Sequence, residues 1–524
     1  MNYYYIDPSA STNGTGTQDS PYNTWGVLGT LNPSFPFSIL VKRGTVERGN
    51  FNYSTLRNLV SSSSESSVIS SYGTGAWPTL IQDSGSDQVL HLALRNTVIA
   101  GINFCTNEVS QSSDLVGISA YPNTDGSDTN VFLTKCQFTS FPYTMISQYC
   151  KGLSLYANRD VNQPANKIGV TDSLFNYLSR GVQILGNYNV PSTQDPTTNV
   201  GDRYRSNGAV IDSCSFTNMR DDGAILNRCT SPDSAGTDTT NAMVSKISNC
   251  TYSSFRTNTA ASDNYTQAAS VAFWMVYSNK CIIEYCTVSG SYAARMDRMA
   301  FDFDIMTWDC VIRYCYSHNN AGGIVLFISN ADGDGSESQP SGTSNTEWFV
   351  NRRWGQGNNV IHDCISFNDG VTRSAAASGL WMSKVRLFGY ASNCEMRNVT
   401  VIDTLSSSRH CYIQQYPKFT SSDNVTSLEF NAVNFKFRYL TNTDIIRGDT
   451  DTSVQGLIKF TGCNLFSDAL GENGFSIPSY ADGGSNTQVD PKFEFIPKSS
   501  PSSFDSAKLI KMMASSTVTS GYSS

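Results

Sequence analysis

A short hydrophobic pattern recurs through most of the chain and constrains its fold more than any other feature. Each copy reads apolar, two mostly polar residues, a small residue that we call the anchor, any residue, and in most copies another apolar one. The step between anchors varies from 29 to 49 residues. The eleven anchors are Ile102, Cys136, Ser173, Cys214, Cys250, Cys286, Cys315, Cys364, Val399, Val433 and Cys463.

A fixed strand-forming core at variable spacing indicates a solenoid, because each coil buries its apolar edge only against its neighbours. Loops of different lengths explain the variable step. A set of unrelated β-sandwiches is the alternative, but sandwiches give no reason for seven cysteines to occupy one position of a repeat. The pattern therefore predicts an all-β protein built as a parallel β-helix.

The composition and charge of the chain limit the kinds of partner that it is predicted to bind. Charged residues make up 15% of the chain, aromatic residues 11%, and the net charge is -8. Since no block of Lys or Arg is present, neither nucleic acid nor an anionic membrane is predicted as a partner. The chain contains no apolar run of about 20 residues, so no membrane span is predicted. The first twelve residues lack the basic and apolar regions of a secretory signal.

The chain has fourteen cysteines, and half of them stand at the anchor position. Cysteines stacked at one point of successive coils behave as small buried apolar residues. We therefore predict free, buried thiols rather than a disulfide framework.

The strongest candidate for chemistry is the alternating segment Phe301–Ile305, predicted to be a strand. Successive side chains of a strand point to opposite faces, so Phe301, Phe303 and Ile305 share one face while Asp302 and Asp304 share the other. Aspartate is depleted in strands, so a pair is unusual. The pair predicts acid/base catalysis, and a solvated polar face is the alternative.

A second strand is expected after the anchor in most coils, and aligning these strands places several aromatic side chains near the aspartate pair. Trp274 and Trp381 should point outward on the same wall, where an aromatic face suits the apolar face of a sugar ring. Trp354 follows in the next insertion. The alternative is that these rings fill the core.

Three further carboxylates are reserve candidates for catalysis. Asp221 and Asp222 open a second strand in Asp-Asp-Gly, which is also an ordinary turn signal. Glu284 lies on the anchor strand of the coil before Asp302. Arg313 takes the same place one coil later, so a surface ion pair is the alternative.

His318, Arg295 and Arg298 are candidates for binding substrate. His318 lies in a turn, where capping is the alternative to proton transfer near neutral pH. The two arginines suit a sugar carboxylate, but Asp297 between them makes internal pairing as good an explanation. The segment from Asn330 resembles a calcium loop, except that Ser341 replaces its final Glu. We therefore predict a wall of the cleft there, and no metal or cofactor.

Several segments resemble right-handed parallel β-helix proteins of the pectate-lyase-like type. The opening segment 5–22, the first two coils at 40–46 and 71–78, the turn at 316–323 and the closing segments at 489–493 and 500–502 all do so. The resemblance covers nearly the whole chain, but this fold hosts hydrolases, lyases, esterases and adhesins. With no secretory signal and many Ser, Thr, Gly and Asn residues, the chain is also similar to bacteriophage tailspike depolymerases.

The resemblance implies a single right-handed solenoid of about eleven or more coils with loop insertions. Residues 1–40 would form an N-terminal cap segment, 41–488 the β-helix, and 489–524 a closing segment and tail. The implied function is glycoside-hydrolase-type cleavage of a bacterial surface polysaccharide by the carboxylate pair in a side groove.

Two other functions stay open. They are a polysaccharide lyase acting on a uronate-containing glycan and a non-catalytic glycan receptor-binding or adhesion protein. The implied location is a phage tail or the extracellular space. A tailspike would be a homotrimer, although no trimerisation domain is evident after the closing segment.

Overall fold

The computed structural model describes most of the chain. The described residues are 1–53, 59–60, 65–83, 88–106, 114–122, 129–140, 150–157, 166–186, 205–232, 243–254, 271–291, 299–328, 356–370, 382–388, 391–404, 410–416, 428–440, 446–448, 458–479, 481–495 and 510–512.

The chain divides into two compact units. Unit 1 comprises Met1–Pro191, Gly201–Asp233 and Asp238–Phe255, and unit 2 comprises Ser192–Val200, Ser234–Thr237 and Arg256–Ser524. Within each unit the chain passes in turn through three sheets, here called A, B and C, and then returns to sheet A. Every ladder of these three sheets that is described here is parallel.

In unit 1, the strands of sheet A are Asn2–Ile6, Phe37–Lys42, Ser67–Tyr72, Thr97–Ala100, Val131–Thr134, Ile168–Thr171, Ala209–Asp212 and Lys246–Ser248. Those of sheet B are Val46–Gly49, Thr79–Gln82, Asn103–Thr106, Gln137–Ser140, Leu174–Asn176, Ser215–Met219 and Thr251–Ser254. Those of sheet C are Phe51–Tyr53, Leu90–Leu94, Asp114–Ala120, Lys151–Ala157, Arg180–Leu185 and Asp222–Asn227. A short ladder joins Ser206–Asn207 to Cys229–Thr230, and a 3-10 helix spans Trp25–Gly29.

In unit 2, sheet A contains Ile282–Glu284, Val311–Arg313, Val360–His362, Cys394–Arg397, Leu428–Asn431 and Ile458–Thr461. Sheet B contains Thr287–Ser289, Tyr316–His318, Ile365–Phe367, Thr400–Asp403, Asn434–Phe437 and Asn464–Ser467. Sheet C contains Phe273–Val276, Phe301–Phe303, Val325–Ile328, Met382–Phe388, His410–Tyr416 and Ile446–Gly448. Gln356–Gly357 pairs with Ala391–Ser392, and Phe493–Phe495 pairs antiparallel with Ile510–Met512.

Three parallel sheets visited in a repeating order define a parallel β-helix, so the predicted all-β fold class is confirmed. Parallel crossovers of this kind are right-handed in about 98% of cases, in agreement with the predicted hand. The described residues contain no α-helix and no helix long and apolar enough to cross a membrane.

The corner between sheets A and B explains the repeat. At each of the eleven corners the residue before the anchor has a positive φ, between 47° and 66°. One left-handed residue turns the chain there, and the anchor that follows is buried. Within the described residues, ten of the eleven anchor carbonyls accept a backbone hydrogen bond from the following part of the chain, as in Leu174 N to Cys136 O at 3.0 Å and Ile365 N to Cys315 O at 2.9 Å.

The same corner explains the preference for cysteine at the anchor. The thiol donates back to the carbonyl two residues earlier, as in Cys250 Sγ to Ser248 O at 3.1 Å and Cys315 Sγ to Arg313 O at 3.2 Å. Ser173 makes the same bond with its hydroxyl, at 2.7 Å. The position therefore favours a small side chain that is apolar enough for the interior yet offers a donor.

Unit 2 has a second cysteine column, which the sequence pattern did not reveal. At the corner between sheets C and A, Cys281 and Cys310 also follow left-handed residues and are buried. Each thiol donates to the carbonyl two residues earlier, at 3.4 Å and 3.3 Å. The spacing of five residues to Cys286 and Cys315 was the available signal.

Stacked phenylalanines fill the interior beside these corners. In unit 1, Phe104, Phe138, Phe175 and Phe216 form one column, with ring centroids 4.6 to 5.2 Å apart. In unit 2, Phe303 stacks on Phe327 at 5.2 Å. Each fully buried ring contributes about 1.5 to 3 kcal/mol, and in-register stacking fixes which face of each strand points outward.

A β-branched residue at a left-handed corner should destabilise the protein. Lys135 has a φ of 52° and an exposed side chain. Lys135→Val therefore leaves the core packing unchanged and alters mainly the free energy of holding this residue in the left-handed conformation. Lysine already bears the cost of a Cβ in this conformation, so the expected loss comes from β-branching and is on the order of 1 kcal/mol in the free energy of unfolding, measured in urea. Lys135→Gly removes the Cβ penalty and should leave the stability unchanged or raise it. Lys459→Val, in an exposed strand position, is the matched control. Equal stability of Lys135→Val and wild type would contradict the corner assignment.

The thirteen cysteines whose side chains are described are free and buried. Burial raises the pKa of the Cys136 and Cys394 thiols to about 12. We therefore expect iodoacetamide at pH 8 to leave these thiols unlabelled until the protein is unfolded, as read by peptide mass spectrometry. Rapid labelling of Cys136 in the native protein, or a disulfide at any anchor, would contradict this assignment.

Candidate functional site

The predicted catalytic strand lies in sheet C of unit 2. Phe301 and Phe303 are fully buried and point inward, so Asp302 between them points to the outer face. Its side chain is only 4% exposed there. The strand pairs with Phe273–Val276 on one side and Val325–Ile328 on the other.

The register places Asp302 in one outer row of sheet C. Trp274 is its partner on one side and Leu326 on the other, and the row continues to Arg386. Neighbouring strands lie about 4.8 Å apart, so Arg386 is about 10 Å from Asp302 along the row. Trp274 is half-buried, and its indole nitrogen makes no hydrogen bond to any residue that the structure describes.

Asp304 departs from the predicted geometry in one respect. The strand ends at Phe303, not at Ile305. Asp304 still donates its backbone N–H to Met275 O at 2.9 Å, but its carboxylate accepts from Ile305 N at 2.6 Å and caps the turn that follows. Ile305 is therefore half-buried and does not join the inward face of Phe301 and Phe303.

Residues two apart along an extended chain lie about 6.6 to 7 Å apart at the backbone, and this is the upper limit for Asp302 and Asp304 because the strand ends at Phe303. That separation suits a water molecule between an acid and a base, and rotation of the side chains also permits the shorter separation of a nucleophile and its acid. Among the described residues, no three His, Cys, Asp or Glu side chains are grouped as metal ligands.

Glu284 lies in sheet A, away from the strand of Asp302. Its Oε2 accepts from Arg313 Nε at 3.0 Å and Nη2 at 2.9 Å, and both side chains are largely buried. The register pairs the two residues directly. The sequence alternative to catalysis was a surface ion pair; the pair is present but buried. The reserve role of Glu284 in catalysis stays a prediction.

His318 ends a strand of sheet B. Its ring stacks on Tyr316 with centroids 4.7 Å apart, and its Nδ1 lies 3.0 Å from Asn319 Nδ2. Burial lowers the pKa of His318 below its ordinary value of 6.5. The imidazole is therefore neutral at physiological pH and suits hydrogen bonding better than an ionic contact.

Asp221 and Asp222 belong to unit 1. Asp222 is buried and accepts from Arg180 Nε at 3.0 Å, and Asp221 lies 3.7 Å from Arg220 Nε. Both backbone N–H groups donate to Ser179 O at 3.0 Å. These contacts tie the strand start to the preceding coil, and a catalytic or binding role for either residue stays a prediction.

Four predicted binding residues and the predicted wall of the cleft lie outside the described residues. These are Trp381, Trp354, Arg295, Arg298 and the segment from Asn330 to Trp354. One part of the strand alignment is corrected. The sequence alignment matches Gly323–Leu326 with Gly379–Met382 and so pairs Leu326 with Met382, whereas its partner in the structure is Arg386, four residues later.

Sequence reasoning missed a buried polar network in unit 2. Asp369 accepts from Ser317 Oγ, from Asn320 N at 3.0 Å and from Ser366 Oγ at 2.7 Å. Burial raises its pKa to about 6, against these hydrogen bonds. Lys384 is fully buried, donates to Asp369 O, and lies 2.8 Å from Asp403 Oδ2. The network joins the ends of sheet B strands to the start of sheet C.

The sequence matches no protein-family model and no curated protein. Among solved structures it is similar to the GH136 lacto-N-biosidase from Eubacterium ramulus, with 12% identity, a TM-score of 0.49, and coverage of 82% of this chain and 67% of that one. It is also similar to the PL6 family alginate lyase AlyGC, with 11% identity, a TM-score of 0.48, and coverage of 95% of this chain and 55% of that one. A third similar structure is a tailspike mutant of E. coli bacteriophage HK620 in complex with pentasaccharide, with 10% identity, a TM-score of 0.41, and coverage of 86% of this chain and 60% of that one. At these scores the similarity carries no argument about activity.

Breaking the buried ion pair should destabilise the protein. Glu284→Gln or Arg313→Met leaves one partner unpaired, and we expect a loss of about 3 to 5 kcal/mol in the free energy of unfolding. The double variant Glu284→Leu/Arg313→Leu should lose less than the sum of the two single changes. Chemical unfolding measures all three. A Glu284→Gln variant of wild-type stability that has lost catalytic activity would instead support the predicted catalytic role.

Proposed function

We propose that the protein is a polysaccharide depolymerase that hydrolyses glycosidic bonds at the outer face of sheet C in unit 2. The observation that carries the proposal is the placement of Asp302 and Asp304. One carboxylate lies on the outer face of a rigid central strand, and the other lies two residues on, where that strand ends. Glycosidases use such a pair of carboxyl groups, and either separation is compatible with this geometry.

The two aspartates differ in environment, and we assign their roles from that difference. Burial disfavours a charged carboxylate, so Asp302 is assigned as the acid that protonates the leaving oxygen. Asp304 is half-exposed and accepts a hydrogen bond from Ile305 N, so it is assigned as the carboxylate that activates water or attacks the sugar. In either case one water molecule is consumed and a new reducing end is released.

Trp274 supports the choice of a sugar substrate. It is the register partner of Asp302 and lies on the same outer row. An indole ring offers an apolar face for the C–H face of a pyranose ring and one N–H donor at its edge. We propose a bacterial surface polysaccharide as the substrate, which places the protein in the extracellular space or on a phage tail.

One observation favours a polysaccharide lyase as the second candidate. Arg386 lies on the same outer row as Asp302, two strands away. A guanidinium there is suited to bind the carboxylate of a uronate. A lyase abstracts the proton beside that carboxylate, consumes no water and releases an unsaturated product that absorbs ultraviolet light.

The aspartate pair should be required for cleavage and not for folding. We expect Asp302→Asn and Asp304→Asn each to reduce the release of reducing ends from the best substrate in a panel of capsular and plant polysaccharides by about 10²- to 10⁴-fold. Both variants should still bind that polysaccharide. Asp468→Asn, an exposed aspartate of the same unit, is the matched control and should retain full activity.

The same assay separates the alternatives. Ultraviolet absorbance that rises with the reducing ends identifies a lyase, and stable retention of glycan without new reducing ends identifies a binding protein. Full hydrolytic activity in both aspartate variants would remove the proposed assignment.

A further inference from the structure

A second group of polar and aromatic side chains lies on the outer face of sheet C in unit 1. It comprises Gln88, His91, Asp114, Ser119 and Tyr156, and none of these has a role in the proposed cleavage. We propose that this group is a glycan-binding subsite that holds a neutral sugar unit. The proposal rests on the proposed function only in taking a glycan as the ligand.

The register brings three of these residues to one place. Ser119 on Asp114–Ala120 is the direct partner of Tyr156 on Lys151–Ala157. His91 lies on Leu90–Leu94 and pairs with Gly117. The alternating residues of the same strands, Leu92, Ile118 and Leu155, are fully buried and face the core, so His91, Ser119 and Tyr156 face outward.

Asp114 reaches the same face because the pleat is interrupted near the start of its strand. Leu115 and Val116 are both fully buried, so two consecutive residues face inward. The neighbouring strand repeats this arrangement, since a Cβ on Gly152 would lie 2.9 Å from the side chains of core residues Phe175 and Leu178. The interruption has the character of a bulge and turns Asp114 outward.

Specific contacts link the side chains to one another. Tyr156 donates its hydroxyl to Asp114 Oδ2 at 2.6 Å, and its ring stacks on His91 with centroids 5.9 Å apart. His91 Nε2 lies 3.1 Å from Ser119 Oγ. Gly117 forms the floor, because a Cβ there would lie 2.5 Å from the Gln88 amide nitrogen. The group is thus organised by its own contacts before any ligand binds.

One atom of the group indicates a missing partner. Asp114 is 7% exposed, and its Oδ1 is buried without a hydrogen bond from any residue in the described part of the chain. An unpaired carboxylate oxygen in such a place is costly and calls for an explanation. A sugar hydroxyl would supply the donor, while the imidazole, hydroxyl and amide nearby bind further hydroxyl groups.

The charges around the group favour a neutral sugar. Asp114 is the register partner of the half-buried Lys151. The same row continues through Arg180 to Asp222, which accepts a hydrogen bond from Arg180 Nε at 3.0 Å. Two acidic and two basic residues thus share this row, so it offers no net charge to attract an anionic or a cationic sugar. The Ser119–His91 contact alone does not indicate acyl transfer, because no set of donors for an oxyanion is arranged around it.

The test measures binding in a background that does not consume the ligand. Asp302→Asn is used as the parent, and binding is read on an array of oligosaccharides from bacterial capsules, O-antigens and plant cell walls. We expect Asp114→Ala and Tyr156→Ala each to weaken binding about tenfold or more. Tyr156→Phe, which keeps the ring and removes the hydroxyl, should weaken it several-fold. Asp468→Ala and Tyr285→Ala, at exposed sites of unit 2, should bind as the parent does.

Hydrogen exchange supplies a measurement that needs no variant in unit 1. Addition of the best oligosaccharide from the array should protect the peptides that contain residues 88–94, 114–120 and 151–157. Unchanged binding in folded Asp114→Ala and Tyr156→Ala, no protection of these peptides, or no binding of the parent to any oligosaccharide would overturn the proposal. Its failure is distinct from that of the proposed function, which is decided by cleavage in the Asp302 and Asp304 variants.

Discussion

The structure depends on one backbone turn, in which a single left-handed residue followed by a small buried residue turns the chain from sheet A to sheet B. The left-handed residue changes the direction of the chain within one position. The anchor then fits inside the corner, and its thiol or hydroxyl satisfies the carbonyl that the turn exposes. Because anchor carbonyls also accept from the following part of the chain, these corners set the register of their neighbours.

This register determines which side chains meet on the outer surface. A shift of one residue would exchange the two faces of a strand, so stacked phenylalanines inside and polar residues outside are consequences of the same ladder. In sheet C of unit 2 the ladder places Trp274, Asp302, Leu326 and Arg386 side by side. In unit 1 it brings Ser119 beside Tyr156 and within reach of His91. The strands therefore place most of the side chains of both candidate sites, while Asp304 directly follows its strand and Gln88 precedes one.

The sequence predicted the parts of the structure that follow from periodicity. The anchors, the buried free thiols and the outward position of Asp302 all follow from a repeat and from strand alternation. Other predictions from the sequence were wrong or missing, each for a physical reason. The alternating pattern predicts a strand that runs to Ile305, because a pattern of apolar and polar residues does not show that the Asp304 carboxylate caps a turn. The alignment around Trp381 was displaced by four residues because loop length is free to vary between coils. The Asp369 network joins residues far apart in sequence, so no local pattern reveals it.

One signal was present but unused. The position before the anchor is Gly, Lys, Asp, Ser, Asn, Tyr or Ala in all eleven copies and is never Val, Ile or Thr. β-Branched residues are the ones that a left-handed conformation excludes most strongly. Reading that exclusion would have predicted the one-residue corner.

Sulfur positions located by anomalous X-ray diffraction test the stacked corners most directly. The account predicts that the sulfurs of Cys286, Cys315 and Cys364 form one row with a step of about 4.8 Å, and that Cys281 and Cys310 start a second row beside it. Sulfurs scattered without a common step, or joined in pairs at the distance of a disulfide bond, would contradict it.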